Sequence, residues 1–241
     1  MPGEQPEAGP SWDARVSLDR LRSVIDPEDA KGRKNRIIDG AQKRALSRAL
    51  GPVRGLRVLD LGCGSGRIVS WLRDADAVAV GVEPSEPMLR HARALSPQLP
   101  VVAGVGRLPF RSKSFDAIVT VGVLQYVLAE PAVIDELLGE VRRLLTPPGV
   151  FVALEQVTTA RLGRGGAAAE YVEALRSGGL DVQRTDGVRI AASRVMHVSL
   201  ALSALPVPIA AAALLREGRR WAGERADPYA DVIFVARKRS R

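Results

Sequence analysis

Short apolar runs alternate with amphipathic segments along most of this 241-residue chain. The apolar runs have the length of buried strands, and turn-forming residues separate them from their neighbours. They predict strands at residues 58–61, 77–82, 101–103, 150–154, 180–188 and 231–238, with another inside 114–126. Apolar positions three and four apart predict helices at 31–50, 88–95, 133–145 and 167–176, and a shorter one within 13–30. This alternation is typical of an α/β domain built on a mostly parallel sheet.

The region 189–229 has a different pattern. Between residues 195 and 215 the only titratable side chain is His197, and Pro206 and Pro208 interrupt the apolar run. The run is long enough to cross a bilayer, but its prolines and its place between two strands argue against a span. We expect a helical insertion that covers an acceptor pocket. A dimer surface and an interfacial membrane contact are the alternatives.

Length and composition favour one globular domain. The hydrophobic fraction of 46% and the charged fraction of 26% are ordinary, and 241 residues can bury one sizeable core. The only cysteine, Cys63, excludes an intramolecular disulfide framework and a cysteine-cluster metal site. Residues 1–12, rich in Pro, Gly and Glu, predict a disordered tail before a single domain at 13–241. The absence of a secretory pattern at the start predicts a cytoplasmic protein.

The net charge of +8 leaves three interpretations open: an acidic partner, a membrane surface or general arginine usage. Nine Lys or Arg residues stand against one acid between positions 31 and 57. This stretch is either a solvated helix face or a lid whose cations meet an anionic substrate. Because no aromatic residues interleave with these cations, stacking on nucleic-acid bases is not indicated.

A glycine-rich turn follows the strand at 58–61. Gly62, Gly64 and Gly66 let a ligand approach the backbone closely, and the amides of the following helix favour an anionic or electron-rich group. A dinucleotide site would require glycine or alanine where Arg67 stands, and no P-loop pattern is present. The run V-L-D-L-G-C-G-S-G resembles motif I of the class I S-adenosylmethionine (SAM)-dependent methyltransferases.

Two further stretches carry the same resemblance. In V-G-V-E-P-S-E-P-M-L, Glu83 stands about 20 positions beyond the glycine turn, where an acid can accept two hydrogen bonds from a ribose. The stretch S-F-D-A-I-V-T-V-G-V-L-Q-Y is similar to the family's post-motif pattern, with Gln125 and Tyr126 in place of two histidines. These two residues are predicted either near the transferred methyl group or in ordinary helix-start packing. The chain lacks the [N/D/S]-P-P-[Y/F/W] pattern of many nucleic-acid amino-methyltransferases.

The chain departs from the family after its third strand. Where the family commonly has G-D-A-E, this sequence reads A-G-V-G, so Gly104 replaces the aspartate that reaches the adenine amino group and Gly106 replaces the second acid. Backbone groups around Val105 are then expected to hold the adenine edge.

The resemblance implies a Rossmann-like, doubly wound, seven-stranded sheet with an antiparallel last strand and helical lid elements. It implies SAM as cofactor, S-adenosylhomocysteine (SAH) as product, and no metal. The implied cofactor-binding residues are Asp60, Gly62, Cys63, Gly64, Gly66, Glu83, Pro84, Met88, Gly104, Val105, Gly106, Val121 and Gln125. The catalytic candidates are Gln125, Tyr126, Glu155 and His197, where Glu155 is either a base or a structural hydrogen-bond acceptor and His197 is either a base or a packed side chain.

We therefore predict methyl transfer to a small-molecule or lipid-linked acceptor, such as a sugar, a polyketide-like compound or an isoprenoid. The stretch D-P-E-D-A-K-G-R-K-N-R-I-I-D-G-A-Q loosely resembles bacterial enzymes of glycan and natural-product biosynthesis. Nucleic acid is not the expected partner, and the protein is a monomer or homodimer. The alternatives are an RNA or ribosomal-protein methyltransferase, which would explain the charge, and a non-catalytic SAM-binding partner protein, which would explain the missing adenine acid.

Overall fold

The computed structural model describes residues 16, 19–104, 106–158, 166–190, 193–202, 204–220 and 230–239. The predicted tail at 1–12 lies outside these residues, as do Val105 and the end of the predicted insertion at 221–229. Residues 20–24 form turns instead of the expected short helix. The Asp19 carboxylate accepts the backbone N–H groups of Leu21 and Arg22, which satisfies them without a helix.

Helices and strands alternate as the hydrophobic pattern predicts. The helices are α1 (Arg33–Leu50), α2 (Arg67–Asp74), α3 (Glu86–Leu95), α4 (Pro131–Leu144), α5 (Ala168–Ser177), α6 (Arg194–Ala201) and α7 (Val207–Gly218). The strands are β1 (Arg57–Leu61), β2 (Val78–Glu83), β3 (Val101–Ala103), β4 (Phe115–Val121), β5 (Leu145–Val157), β6 (Leu180–Ile190) and β7 (Ala230–Lys238). A short 3-10 helix, Leu124–Tyr126, follows β4.

The strands form one seven-stranded sheet in the order β3-β2-β1-β4-β5-β7-β6. β1 to β5 pair in parallel, whereas β7 runs antiparallel to both of its neighbours. One buried core joins α1, α2, α3 and α7 to one face of the sheet, and a second joins α4 and α5 to the other. The expected doubly wound sheet with an antiparallel last strand is confirmed. The strand order reverses between β1 and β4, where open α/β sheets bind their ligands.

The start of β5 differs from the prediction. Residues 146–149, which include Pro147 and Pro148, lie between the predicted helix at 133–145 and the predicted strand at 150–154, but the strand already begins at Leu145. Leu145 pairs with Phe115 of β4, and the register then shifts before Val150 pairs with Ala117. The prolines are accommodated at this irregularity, because a residue without an N–H is tolerated where the ladder is interrupted.

The insertion between β6 and β7 forms α6 and α7, which pack against α1. A Cβ atom placed on Gly40 of α1 would lie 2.9 Å from the Cβ atom of Ala211, so the two helices approach closely. The Arg33 guanidinium donates to the carbonyl oxygens of Ser199 at 2.9 Å and Leu205 at 2.6 Å. These contacts fix α6 and α7 on α1. No helix in the described parts of the chain combines the length and apolar character that crossing a bilayer requires.

Several apolar side chains of α6, of the residue that follows it and of α7 face outward: Val198, Leu200, Leu202 and Ile209. We expect the double substitution Val198→Asp and Leu202→Asp to change the free energy of unfolding by less than about 1 kcal/mol, because both side chains are more than half exposed. Leu214→Ala, at a fully buried site on α7, should cost about 2–5 kcal/mol in the same thermal-unfolding measurement. Equal losses in the two variants would mean that the outward side chains are packed.

Candidate functional site

The glycine turn after β1 is held by backbone hydrogen bonds to β2. The N–H groups of Gly62 and Cys63 both donate to the carbonyl oxygen of Val82, at 2.8 and 2.9 Å. Gly62, Gly64 and Gly66 all have positive φ angles, of 78°, 52° and 74°. Such angles favour glycine, since a Cβ atom would be strained there. The backbone therefore sets the shape of the turn next to β2.

The Glu83 carboxylate fixes the far side of this turn. It accepts the N–H of Gly64 at 2.8 Å and the N–H of Ser85 at 3.0 Å. Ser85 in turn caps α3 by accepting the N–H of Met88. Burial raises the pKa of Glu83, and the two amide hydrogen bonds act in the opposite direction. Glu83 thus links the glycine turn to the start of α3 and faces the cavity described below.

Asp60 is the buried acid at the end of β1. Its side chain is 2% exposed, and its Oδ2 atom has no hydrogen-bond partner among the described residues. Burial raises the pKa of Asp60 to about 7, against the opposing charge of Arg67. A buried carboxylate oxygen without a partner is costly, so this position is suited to a cationic or hydrogen-bond-donating ligand.

A cavity of about 660 Å³ lies along the carboxyl edge of the sheet. One end is at Gly104 and Gly106, beyond β3, and the other is at Arg189 and Asp231, where β6 ends and β7 begins. Gln125 and Tyr126 line its middle, beyond β4. The cavity therefore passes over the reversal point of the sheet and continues well beyond the glycine turn.

The segment 24–26 and the first half of α1 cover this cavity. Val24, Ile25 and Asp26 line it together with Lys34, Ile38 and Gln42 of α1. The cover is attached on two sides. The Ser65 hydroxyl, in the glycine turn, donates to the carbonyl oxygen of Arg20 at 2.9 Å, and the Arg20 guanidinium donates to Ser96 at 2.6 Å. The amide of Asn35 donates to the carbonyl oxygen of Asp26 at 2.8 Å.

The cations of the cavity wall face carboxylates. Lys34 pairs with Asp26 at 2.6 Å, Arg67 with Asp39 at 2.8 Å, and Arg189 with Asp231 at 2.9 Å. Three further acids line the wall without an ion pair in the described part of the chain: Asp60, Glu83 and Glu136. Residues 31–57 were interpreted either as a solvated helix face or as a lid whose cations meet an anionic substrate. The first half of α1 does cover the cavity, but its cation in the wall, Lys34, faces a carboxylate. The excess charge of the cavity wall is negative.

The Glu155 side chain holds the loop after β4 through hydrogen bonds. It is fully buried and accepts the Thr120 hydroxyl at 3.1 Å and the N–H groups of Val123 at 3.2 Å and Gln125 at 3.3 Å. Burial raises its pKa to about 7. Glu155 is not in the cavity wall, whereas its chain neighbours Leu154 and Gln156 are. Its contacts are those of a structural hydrogen-bond acceptor, which was one of its two predicted roles.

The structure brings most of the predicted site residues into one wall. The cavity is lined by Asp60, Gly62, Cys63, Gly64, Glu83, Pro84, Met88, Gly104, Gly106, Val121, Gln125 and Tyr126. Gly66 lies behind the turn, where an added Cβ atom would be 2.1 Å from Leu99. Val105 is outside the described residues.

His197 and the rest of α6 and α7 lie away from the cavity. The Nδ1 atom of His197 lies 2.7 Å from the carbonyl oxygen of Ser193 within α6, and the side chain is exposed. None of the cavity-lining residues comes from α6 or α7. The expectation that the insertion covers the pocket is thus corrected for its described part: the insertion packs on α1, and α1 with segment 24–26 forms the cover.

Sequence reasoning missed a buried polar chain in the wall. It consists of Gln42, Arg67, Arg189 and Asp231, from four different elements. The only signal in the sequence was Arg67, which stands where a dinucleotide site would have a small residue. Its guanidinium donates to Gln42 at 2.6 Å and to Asp39 at 2.8 Å, which explains how an arginine fits there.

Comparisons with known proteins agree with this fold. Residues 59–153 match a family model described as a methyltransferase domain. A demethylmenaquinone methyltransferase of Beutenbergia cavernae is 37% identical over 119 residues, which is 49% of this chain and 48% of the relative. The chain spans about half the length of the curated relatives it matches.

Two solved structures share the fold at lower identity. One is a putative methyltransferase in complex with the Haloferax volcanii Trm112 methyltransferase activator (TM-score 0.64, 23% identity, 97% of this chain and 100% of that one). The other is a geranyl diphosphate C-methyltransferase of Streptomyces coelicolor, with Mg²⁺, geranyl diphosphate and SAH (TM-score 0.57, 20% identity, 89% of this chain and 86% of that one).

Proposed function

Because the chain carries a class I SAM-dependent methyltransferase domain, we propose that the whole protein transfers the methyl group of SAM to a small organic acceptor. The observation that carries this proposal is the extent of the cavity. It reaches from the glycine turn and Glu83, past Gln125 and Tyr126, to Gln156 and Asp231. A cavity that served the cofactor alone would have no need of the part beyond β4.

The residues present fit SAM. Its ammonium group is a suitable partner for Asp60, whose Oδ2 atom is buried in the cavity wall without a hydrogen bond. Glu83 would accept ribose hydroxyls, and the glycine turn would lie against the nucleoside. The negative charge of the wall favours a cofactor that carries both an ammonium and a sulfonium. Gly104 and Gly106 line the adenine end, where the carboxylate of Glu136 would lie 3.1 Å from a Cβ atom added to Gly106.

SAM supplies a methyl group that is already activated by its positively charged sulfur. The chain's own residues then have to bind the two reactants, align them and exclude water. Segment 24–26 and α1 cover the reacting centre, and Glu155 fixes the loop that presents Gln125 and Tyr126 to the cavity. Because positioning supplies much of the rate, methyl transfer does not by itself require one of the acids in the cavity wall to act as a base.

We infer that the acceptor has an apolar body. Beyond the cofactor residues the wall contains the apolar side chains of Ile38, Val127 and Leu154. A quinone-type relative and a terpenoid-type structural neighbour support this class, since each is named for an acceptor with a large hydrocarbon part. Polyketide-like and isoprenoid acceptors belong to the same class, whereas a free sugar fits it less well.

Incubation with methyl-labelled SAM and an extract of the source cells tests the proposal. We expect label in the organic-soluble fraction, and none after Glu83→Ala, which removes the carboxylate that holds Gly64. The matched control is Glu86→Ala, because Glu86 is an exposed acid on the adjoining helix. Label confined to acid-precipitable material would favour an RNA or protein acceptor. SAM binding without any labelled product would favour a non-catalytic partner protein.

A further inference from the structure

The far end of the cavity lies beyond the part assigned to the cofactor. Gln156 of β5, Asp231 of β7 and Arg189 of β6 are direct neighbours in the sheet register. All three line the cavity, and all stand on the opposite side of the reversal point from the glycine turn. With the cofactor over β1 and β2, this end is where the second reactant would lie.

A β-bulge directs Arg189 into this end. Gly187 pairs with Val232 and Arg189 pairs with Asp231, so β6 has one residue more than β7 between these pairs. Bulges of this kind turn a side chain away from the regular alternation and are common beside active sites. The Arg189 guanidinium donates from Nε and Nη2 to the two carboxylate oxygens of Asp231, both at 2.9 Å. Both side chains are buried.

The ion pair is connected to the glycine turn through α1. The Gln42 side chain accepts a hydrogen bond from Arg67 at 2.6 Å and donates to Asp231 at 3.4 Å. Arg67 begins α2, directly after the glycine turn. A continuous polar chain therefore joins this end of the cavity to the start of α2, through Gln42 of α1.

A stabilising role does not by itself explain a buried ion pair at this position. Replacing such a pair by apolar side chains of similar size is often neutral or stabilising, because the pair must be desolvated on folding. The neighbouring pair Arg184–Asp186 on the same strand is much more exposed. A buried, charge-balanced pair in a largely apolar cavity offers both a donor side and an acceptor side to a neutral dipolar group.

The same charges disfavour a phosphate. The cation at this end, Arg189, faces the Asp231 carboxylate, and the wall of the cavity as a whole carries more acids than cations. A doubly negative group would be placed beside Asp231 without an uncompensated cation, in surroundings where like charges interact strongly.

We propose that Arg189, Asp231 and Gln42 form the acceptor-binding site, and that it takes an uncharged hydroxyl group on an apolar body while it rejects the phosphorylated form. This proposal rests on the proposed methyl transfer, since it assigns the second substrate of the same cavity. It separates this protein from an enzyme that uses a diphosphate acceptor.

The matched probes are 1-naphthol and 1-naphthyl phosphate, which share one apolar body. Their affinities are measured by calorimetry with the full chain saturated with SAH. We expect 1-naphthol to bind at least tenfold more tightly than 1-naphthyl phosphate. Equal or tighter binding of the phosphate would overturn the proposal, as would the failure of 1-naphthol to bind. If SAH itself does not bind, the proposed methyl transfer is contradicted. If SAH binds and 1-naphthol does not, only the proposed acceptor site is contradicted.

The matched variants are two double substitutions on the same strand pair. Arg189→Met with Asp231→Leu removes the buried pair without leaving an unpaired charge, and Arg184→Met with Asp186→Leu removes the more exposed pair. We expect the first variant to lose at least tenfold in 1-naphthol affinity and to keep its SAH affinity within about twofold. The second variant should have the same affinities for 1-naphthol and for SAH as the unaltered protein. Unchanged 1-naphthol affinity in the first variant would show that the Arg189–Asp231 pair only holds β6 and β7 together.

Discussion

Asp60→Asn is expected to weaken SAM binding by about 30-fold or more. The wall of the cavity offers the cofactor's ammonium group a buried carboxylate, and removing one partner of such a buried charge pair typically costs about 2–5 kcal/mol. Asparagine has nearly the same shape, so the loss would report charge and not packing. Asp74→Asn, on the exposed end of α2, is the control and should leave the dissociation constant unchanged. Calorimetric titration with SAM measures both.

Asp60 also makes the affinity for SAM depend on pH. Burial raises the pKa of Asp60 to about 7, so in the ligand-free protein the carboxyl is largely protonated below that pH. A cationic ligand binds the ionised form. The affinity for SAM should therefore rise as the pH rises from about 5.5 towards 7, by up to about tenfold per unit, and then level off. Asp60→Asn should abolish this slope. A flat profile for the unaltered protein would contradict the role given to Asp60.

Gly62→Ala is expected to lower the stability of the protein by about 2–5 kcal/mol and to abolish SAM binding. Its positive φ of 78° costs about 1–2 kcal/mol for a residue with a Cβ atom. In addition, that Cβ atom would lie 2.4 Å from Cγ2 of Val123, and relief of such a clash costs about 1–3 kcal/mol. Val123 lies in the loop that Glu155 fixes, so the clash displaces the cavity wall as well.

Gly55→Ala is the matched control. Gly55 has a positive φ of 74°, but nothing lies within 4 Å of an added Cβ atom. Gly55→Ala should lower the stability only by the cost of a positive φ angle for alanine, and it should retain SAM binding. The difference between the two variants in denaturant unfolding then isolates the clash with Val123. Equal destabilisation of the two would mean that Val123 moves aside without cost.

The sequence predicted those features that depend on neighbouring residues. The glycine turn, the strand before it and Glu83 lie within about one βαβ unit, and there the spacing of apolar residues and glycines determines the local structure. The wall beyond β4 was not predictable in the same way. Gln42, Arg189 and Asp231 come from distant elements, and only the sheet order and the bulge in β6 bring them together.

The position of the insertion could not be read from its composition. An apolar segment between two strands is compatible with a cover, a dimer surface or a packed layer. The small residues Gly40 and Ala211 favour the packed layer, because they let α7 approach α1 closely. Neither residue carries a signal by itself. Likewise, Glu155 ends up behind the cavity wall because successive residues of β5 point to opposite faces, and its neighbours Leu154 and Gln156 face the cavity.

The lone cysteine makes the glycine turn accessible to a simple chemical measurement. The Cys63 thiol is buried, and a Cβ atom on Gly81 would lie only 2.6 Å from its sulfur, so the sulfur is packed directly against β2. Burial raises the pKa of the thiol, which keeps the reactive thiolate scarce while the turn is closed. Alkylation of this single site is therefore expected to be slow while the turn keeps this shape. The rate at which Cys63 is alkylated then measures how accessible the glycine turn is. Bound cofactor should lower this rate, and no label has to be introduced.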